Sequence, residues 1–309
     1  MSVEMRSRGR VRVARPRPLR MRLKRWIGLL FVSPWILAFI MFEAIPILSG
    51  FYHSFTDWSA TGKATRFLGL ANYREALTRD PLFWKSVYNT VYYIGFSVPL
   101  GIIAAFVLAL LLNRPIRGTT LYRTIYYLPS VVPTVAASIV WIFIFETRRG
   151  ILNFVLELLG LPAIRWLSDA TWAKPALIIM SLWGIGSTMV IYLAGLQGIP
   201  QELYEAAEVD GATGWHKLVR ITVPLMTPTI FFNLVMNLVT AFQVFNSAFI
   251  ITGGGPYNAT LFYMLHLYDN AFRYFRMGYA SALAVMLFVV VFGLTLFVYR
   301  TSDRWVYYS

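Results

Sequence analysis

The chain has 309 residues, of which 58% are hydrophobic and only 14% are charged. Soluble domains carry about 25% charged residues, and apolar runs of roughly 18 residues or more are typical of membrane-spanning helices. This composition therefore excludes an ordinary soluble protein and indicates a membrane protein. The chain contains no cysteine, which excludes disulfides, zinc–thiolate sites and a thiol nucleophile.

The N-terminal segment 1–25 is strongly basic. Ten of the 28 Lys and Arg residues lie between Arg6 and Arg25, directly before the first apolar run. Basic segments beside a membrane span stay on the cytoplasmic side, so we expect a cytoplasmic arm. An RNA-binding arm is the alternative, but no fold that reads bases follows it. The first apolar run is also longer than the 7–15 residues or so of a signal-peptide core.

Residues 26–309 are predicted to form one all-α transmembrane domain. Each of six apolar segments is long enough to cross a hydrocarbon core of roughly 30 Å. With a cytoplasmic N-terminus, six crossings place the C-terminus in the cytoplasm as well. The predicted spans are 26–50, 87–112, 121–145, 175–197, 228–251 and 279–300. Aromatic residues mark their edges, as in an interfacial belt: Trp26, Trp84, Tyr88, Tyr122, Trp172, Tyr299 and Trp305.

The predicted spans lack ionisable groups in their middles, and Glu43 and Glu146 are expected near the outer ends. Intramembrane charges usually mark proton relays or ion paths, so their absence argues against a proton-driven transporter. The sequence contains neither a Gly-x4-Gly-Lys-Ser/Thr phosphate loop nor a His-Glu-x-x-His pair. We therefore expect no catalytic residue, no metal and no cofactor on this chain, and energy for transport would enter through a partner.

The loop 198–228 predicts a short helix between spans 4 and 5. Pro200 suits the first helical turn, and Glu202 and Glu205 place negative charge near the positive helix end. Asp210-Gly211 ends the helix because glycine adopts positive φ without strain. A small-residue patch on this helix suits docking into a groove of another protein. A plain interfacial loop helix is the alternative.

A second stretch of the same loop, Trp215 to Val223, precedes two prolines. Pro224 and Pro228 are predicted to break the chain before the fifth span.

The residues of this loop resemble a known family signature. Glu205-Ala206-Ala207, Gly211, Ile221 and Val223-Pro224 are similar in type and spacing to the signature loop of permease subunits in binding-protein-dependent ABC importers. The family prefers Leu at position 223. The resemblance implies a coupling helix that seats in an ATPase subunit and transmits its closure. The coupling residues would be Tyr204, Glu205, Ala206, Ala207, Asp210 and Gly211.

Three further segments resemble the carbohydrate-uptake branch of that family: Ser33 to Trp58, Gly69 to Tyr73 and Ile251 to Thr260. They are most similar to the larger permease type of the maltose importer, without its inserted external domain. The resemblance implies a multi-pass protein of the prokaryotic inner membrane, surrounded by the lipid bilayer, and no nucleic-acid partner. It also implies a second related permease, an extracytoplasmic solute-binding protein and two ATP-binding subunits that hold ATP and Mg.

A polar face on the fifth span is the candidate solute path. Asn233, Asn237 and Thr240 follow i, i+4, i+7 spacing, so they share one helical face. Amides and hydroxyls suit a neutral sugar because they donate and accept hydrogen bonds without a counter-ion. Interhelical packing is the alternative for each residue, and glycerol phosphate stays open as a solute. By composition and resemblance, the path would include Trp183, Gly184, Ser187, Asn233, Asn237, Thr240, Ala241, Gln243, Val244 and Ser247.

Three other classes of function stay open at this point. A self-contained secondary transporter or channel would work without a nucleotide-binding partner. A membrane enzyme would need clustered acids, histidines or nucleophiles at one interface, and the sequence offers none. A membrane anchor would leave the signature loop unexplained.

Overall fold

The computed structural model describes residues 30–59, 65–114 and 117–307. The basic arm 1–25 and Trp26 lie outside these ranges. Within them the fold is all-α, and extended pairing is limited to the isolated bridge between Thr56 and Phe67. Among the described residues, four continuous helices are long and apolar enough to cross a membrane, and two bent helix pairs bring the crossings to six if each pair is one span. The all-α, multi-pass prediction is confirmed.

The spans are close to the predicted positions, with differences at their ends. Span 1 is Leu30–His53, span 2 is Pro81–Leu112, span 5 is Gly214–Phe242 and span 6 is Met277–Ser302. Span 3 is the bent pair Thr119–Val131 and Thr134–Ile144, and span 4 is the bent pair Ala173–Trp183 and Gly186–Gln197. Shorter helices lie between the spans: Ala71–Thr78, Ile151–Leu158, Gln201–Val209 and Tyr263–Tyr268.

Span 1 belongs to a compact unit that ends at Tyr52, and the second unit is His53–Ser309. A π-helical turn, Ile40–Ala44, interrupts the α-helical pattern of span 1. Glu43 lies in this turn, ten residues before the end of the span. Span 1 thus continues three residues beyond the predicted end at residue 50, and the prediction that Glu43 lies near the outer side of the membrane stays a prediction.

Span 3 is not the continuous helix that was predicted for 121–145. Its two helices differ in direction by 101°, and the break falls at Val132-Pro133. Proline causes such a break because it lacks the N–H for the helical ladder and its ring clashes with the preceding turn. The first helix, Thr119–Val131, has 13 residues and is about 20 Å long, which is shorter than the hydrocarbon core.

Span 5 corrects two predictions. Pro224 and Pro228 do not break the chain, because one helical segment runs from Gly214 to Phe242. A π-helical turn at Leu218–Thr222 rearranges the backbone hydrogen bonds directly before Pro224, with the Val223 N–H bonded to the Leu218 carbonyl. Span 5 also ends at Phe242 instead of residue 251. Residues 243–245 lie outside any helix, and the helical backbone resumes at Asn246 and continues into the π-helical turn Ala248–Thr252.

Span 4 packs closely against its neighbours at two glycines. A Cβ atom on Gly186 would overlap the carbonyl oxygen of Tyr126 and lie 2.8 Å from the Cα of Tyr127 in span 3. A Cβ atom on Gly195 would lie 2.9 Å from the Thr229 Oγ1 in span 5. Small residues allow membrane helices to approach in this way. Span 4 is thereby fixed between spans 3 and 5.

The loop after span 5 is tied to the start of span 2 by a partly buried carboxylate. Asp80 caps span 2 through its Oδ1, which accepts a hydrogen bond from the Leu82 N–H at 2.9 Å. Its Oδ2 accepts one from the Tyr279 hydroxyl at 2.6 Å and lies 2.8 Å from the His266 Nε2. Burial raises the pKa of Asp80, but these hydrogen-bond donors and the His266 charge outweigh it, so the pKa lies below its ordinary value.

Gly186→Ala is expected to destabilise the protein, because the added methyl group forces span 4 away from the span 3 backbone. Overpacking of this kind costs about 1–3 kcal/mol, and thermal unfolding in detergent measures it. Gly293→Ala is the matched control, since a Cβ on this span 6 glycine meets no atom within 4 Å. Equal melting temperatures for the two variants would contradict the close-packing argument.

Asp80→Asn is expected to cost about 1–3 kcal/mol, because buried donors lose a charged acceptor. A carboxyl whose folded pKa is depressed contributes stability that is present above its ordinary pKa, about 4, and is lost as the pH falls. Wild-type stability should therefore fall between about pH 5 and pH 3, and this dependence should be weaker in Asp80→Asn. The exposed Asp303→Asn is the control and should behave like the wild type in a pH series of melting curves.

Candidate functional site: a polar cavity and a braced loop helix

A cavity of about 580 Å³ lies at the bend of span 4. Spans 2, 3, 4 and 5 contribute to its wall, as do residues 243–247 directly after span 5. The bend itself, between Trp183 and Gly186, brings Gly184 and Ile185 to the wall. Ligand pockets commonly have volumes of about 300–1,000 Å³, so this cavity has room for a small solute.

The polar face of span 5 forms one side of the cavity. Asn233 donates its Nδ2–H to the Thr229 carbonyl at 2.9 Å, and Asn237 donates its own to the Asn233 carbonyl at 2.8 Å. The Thr240 hydroxyl donates to the Met236 carbonyl at 2.9 Å. Each of these hydrogen bonds lies within the helix and uses a single donor. The amide oxygens and the second amide N–H groups of Asn233 and Asn237 therefore take no part in these bonds.

The structure brings nine of the ten predicted path residues to the wall of this cavity: Gly184, Ser187, Asn233, Asn237, Thr240, Ala241, Gln243, Val244 and Ser247. Trp183 is the exception. Its ring makes an edge contact with Trp141 at a centroid distance of 6.0 Å, and it is not among the lining residues. Contact of these residues with a solute stays a prediction.

Several lining residues were missed by the sequence reasoning, and they come chiefly from spans 2, 3 and 4. Ser97 stands four residues after Tyr93, so the two share a helical face that could have been found by the same spacing rule. Thr134 follows the proline break of span 3 and does not belong to a polar pattern with helical spacing in the sequence. The missed polar residues of the wall are Tyr93, Ser97, Thr134, Ser181, Thr188 and Asn246.

The wall of the cavity contains no charged side chain among the residues that the structure describes. Its polar atoms belong to amides and hydroxyls, and Tyr93, Phe232 and Phe245 add aromatic surface. The chemistry of such a wall suits neutral polar molecules, because a buried ion would need an opposite charge beside it.

The predicted loop helix is present as Gln201–Val209. Pro200 directly precedes the helix instead of occupying its first turn. The helix ends before Asp210-Gly211, with Gly211 at φ +76°, as the turn residues predicted. The N–H of Ala212 bonds the Ala207 carbonyl at 2.8 Å, which closes the C-terminal turn.

Side chains join this loop helix to the beginning of span 5. The Tyr204 hydroxyl and the Thr222 Oγ1 are 2.9 Å apart, and the Lys217 Nζ is 2.6 Å from the Glu208 Oε1. The six predicted coupling residues therefore lie on one short helix and its last turn, braced against span 5. Two apolar side chains nearby are exposed: Val209, the last residue of the loop helix, is 89% exposed, and Trp215, in the first turn of span 5, is 70% exposed.

These features define a polytopic helical transport subunit with a polar cavity between its spans and a braced helix in one loop. The family model described as "Binding-protein-dependent transport system inner membrane component" matches residues 97–306. The chain belongs to this family. It is thus a transport component of the inner membrane, as the sequence predicted.

Curated relatives and a solved structure agree with this assignment. The probable ABC transporter permease protein YesP of Bacillus subtilis is 42% identical, covering 91% of this chain and 92% of the relative. The sulfoquinovosyl glycerol transport system permease SmoG of Agrobacterium fabrum is 34% identical, covering 90% and 92%. A chain of a bacterial alginate ABC transporter, in complex with an alginate-bound periplasmic protein, matches with a TM-score of 0.82 at 25% identity, covering 93% and 98%.

Thr240→Cys is expected to react with a hydrophilic thiol reagent, because its position lines the cavity and thiolates form where water is present. The chain has no native cysteine, so the introduced thiol is the only one in this subunit. Phe292→Cys, at a position on span 6 that is 59% exposed but remote from the cavity, should react at least about tenfold more slowly in membranes. Mass shifts after timed labelling measure both rates, and equal rates would contradict a hydrated cavity.

Proposed function

We propose that this chain forms the translocation path for a neutral sugar or oligosaccharide in an ABC importer. The observation that carries the proposal is the uncharged cavity wall built from amides, hydroxyls and aromatic rings. Sugars need many hydrogen bonds and no counter-ion, and aromatic faces pack against their C–H surfaces. The family assignment argues against a self-contained secondary transporter.

The relatives support the solute class by their names. They include permeases for sulfoquinovosyl glycerol, trehalose or maltose, and lactose. One is named for sn-glycerol-3-phosphate. A phosphate ester would call for an Arg or Lys in the wall, and the described lining residues include none. The cavity therefore favours a neutral saccharide over a glycerol phosphate.

The proposed assembly contains four kinds of subunit. This chain pairs with a second, related permease, two ATP-binding subunits hold ATP and Mg, and an extracytoplasmic binding protein delivers the sugar. Residues 1–25 form a cytoplasmic arm, and both termini of the domain 26–309 lie in the cytoplasm. The loop helix Gln201–Val209 then faces the cytoplasm as well.

In the proposed mechanism, closure of the ATP-binding subunits moves the loop helix. Tyr204 and Glu208 connect that helix to Thr222 and Lys217 at the start of span 5. Span 5 continues without a break to Asn237 and Thr240 in the cavity wall. A displacement at one end of span 5 therefore changes the position of the cavity wall at the other end, which alternates access.

Gly211→Asp is expected to leave the subunit in the membrane and to reduce sugar uptake by at least about tenfold. Gly211 has φ +76°, so a side chain strains the turn that ends the loop helix and adds bulk to its docking surface. The assay uses the complete importer in vesicles, with labelled neutral disaccharides and trisaccharides outside and ATP inside. ATP hydrolysis is measured in the same vesicles.

Gly214→Asp is the matched control. Gly214 lies three residues further on, has no positive φ, and a Cβ there meets no atom within 4 Å. An acidic residue at this first helical position is favourable, so near-normal uptake is expected. Normal uptake in Gly211→Asp would overturn the coupling proposal. Uptake of glycerol 3-phosphate in preference to every neutral sugar would overturn the solute class.

A further inference from the structure

A second cavity lies in the segment between spans 3 and 4, outside the translocation path. Its volume is about 550 Å³, and its wall includes Leu156, Leu161, Pro162, Arg165, Asp169 and Trp172. Because loops on the two sides of span 4 lie on opposite sides of the membrane, this cavity faces away from the loop helix Gln201–Val209. It thus combines an apolar wall, one cation, one anion and one interfacial tryptophan.

The segment that forms this cavity is firmly built around Asn153. Its Nδ2 donates to the carbonyls of Thr147 at 2.9 Å and Ile164 at 2.8 Å. Its Oδ1 accepts from the Ile164 N–H at 3.1 Å and the Trp166 Nε1–H at 3.0 Å. Four hydrogen bonds to a buried amide fix the helix Ile151–Leu158 against the chain that follows it.

The level of this helix follows from what it packs against. Leu152 and Leu156 contact a buried cluster that contains Trp141 of span 3 and Met180 of span 4. Met180 is seven residues inside span 4, which begins at Ala173, and seven residues of helix rise about 10 Å. The helix therefore packs beside the first turns of span 4, at the end where the span meets the loop between spans 3 and 4.

The opposite side of the helix is apolar and uncovered. Phe154 is 60% exposed, Leu158 70% and Leu159 68%. An uncovered apolar face beside the end of a membrane span is suited to contact with lipid acyl chains. Trp172, 38% exposed at the start of span 4, occupies the position of an interfacial aromatic residue.

The charges of the cavity indicate which lipid would fit. In the part of the chain that the structure describes, neither Arg165 nor Asp169 forms an ion pair. The Asp169 carboxylate accepts only a local bond, from the Thr171 N–H at 2.8 Å. A free guanidinium suits a phosphate and a free carboxylate suits an ammonium group.

We propose that this cavity binds a zwitterionic, amine-bearing phospholipid from the leaflet opposite the loop helix. Arg165 binds its phosphate, Asp169 binds its ammonium group, and the acyl chains lie along Leu156, Leu161 and the exposed face of helix Ile151–Leu158. The site depends on membrane residence only, so it stands apart from the proposed transport of sugar.

The test uses the full-length subunit purified with its partner subunits in detergent and stripped of lipid. Phosphatidylethanolamine and phosphatidylglycerol with the same acyl chains are titrated separately, and native mass spectrometry counts the lipids retained. Wild type should retain one phosphatidylethanolamine with at least about tenfold higher affinity than phosphatidylglycerol, since only the former offers an ammonium group to Asp169.

Two substitutions separate the two contacts. Arg165→Gln should weaken both lipids about tenfold or more, because both carry the phosphate. Asp169→Asn should abolish the preference, so that the two lipids bind equally. Arg165→Lys keeps the positive charge and should retain most of the affinity, which distinguishes lost binding from a misfolded loop.

Arg273→Gln and Asp269→Asn are the matched controls. They make the same changes in another loop on the same side of the membrane, where Arg273 and Asp269 lie 3.9 Å apart. Both controls should bind lipid like the wild type. The proposal is overturned if wild type shows no preference, if Arg165→Gln and Asp169→Asn titrate like wild type, or if a partner subunit covers the site and no lipid is retained there.

Discussion

The close approach of span 4 to its neighbours is the constraint on which the rest of the structure depends. At Gly186 the backbone of span 4 meets the backbone of span 3, and at Gly195 it meets Met226 and Thr229 of span 5. Membrane helices gain little from the hydrophobic effect inside lipid, so contact of this kind supplies the packing energy. With its second half fixed at both glycines, span 4 bends by 46° before Gly186, and the bend opens the cavity.

The polar wall of that cavity is compatible with a membrane because none of its described lining side chains bears a charge. Asn233, Asn237 and Thr240 each satisfy one donor within span 5, which lowers the cost of placing them among apolar helices. The remaining amide and hydroxyl groups can then form hydrogen bonds with a solute, and no charged group has to be buried for this. Under the proposed function, packing and solute binding are therefore not alternatives for these residues, since the same side chain would serve both.

The six spans and the polar face could be predicted because both depend on local patterns. Apolar runs identify spans by length, and i, i+4, i+7 spacing identified Asn233, Asn237 and Thr240. Trp183 was misplaced because its ring turns toward Trp141, which depends on the path of span 3 after Pro133. The 101° bend and the positions of the cavity residues near it depend on tertiary packing. The local conformational propensities of the residues do not predict them. The zwitterionic cavity was also missed, since Arg165 and Asp169 resemble ordinary loop charges in the sequence.

The wrong prediction for Pro224 and Pro228 has a consequence for the proposed mechanism. A break before span 5 would have placed a hinge between the loop helix and the cavity, and a hinge absorbs motion instead of transmitting it. The continuous segment Gly214–Phe242 has no such hinge, and the π-helical turn Leu218–Thr222 keeps the backbone bonded beside Pro224. Since Tyr204 is bound to Thr222 within this turn, a force on the loop helix enters span 5 where the helix is widest. The rigid helix then delivers the displacement to Asn237 and Thr240, where a sugar would lie.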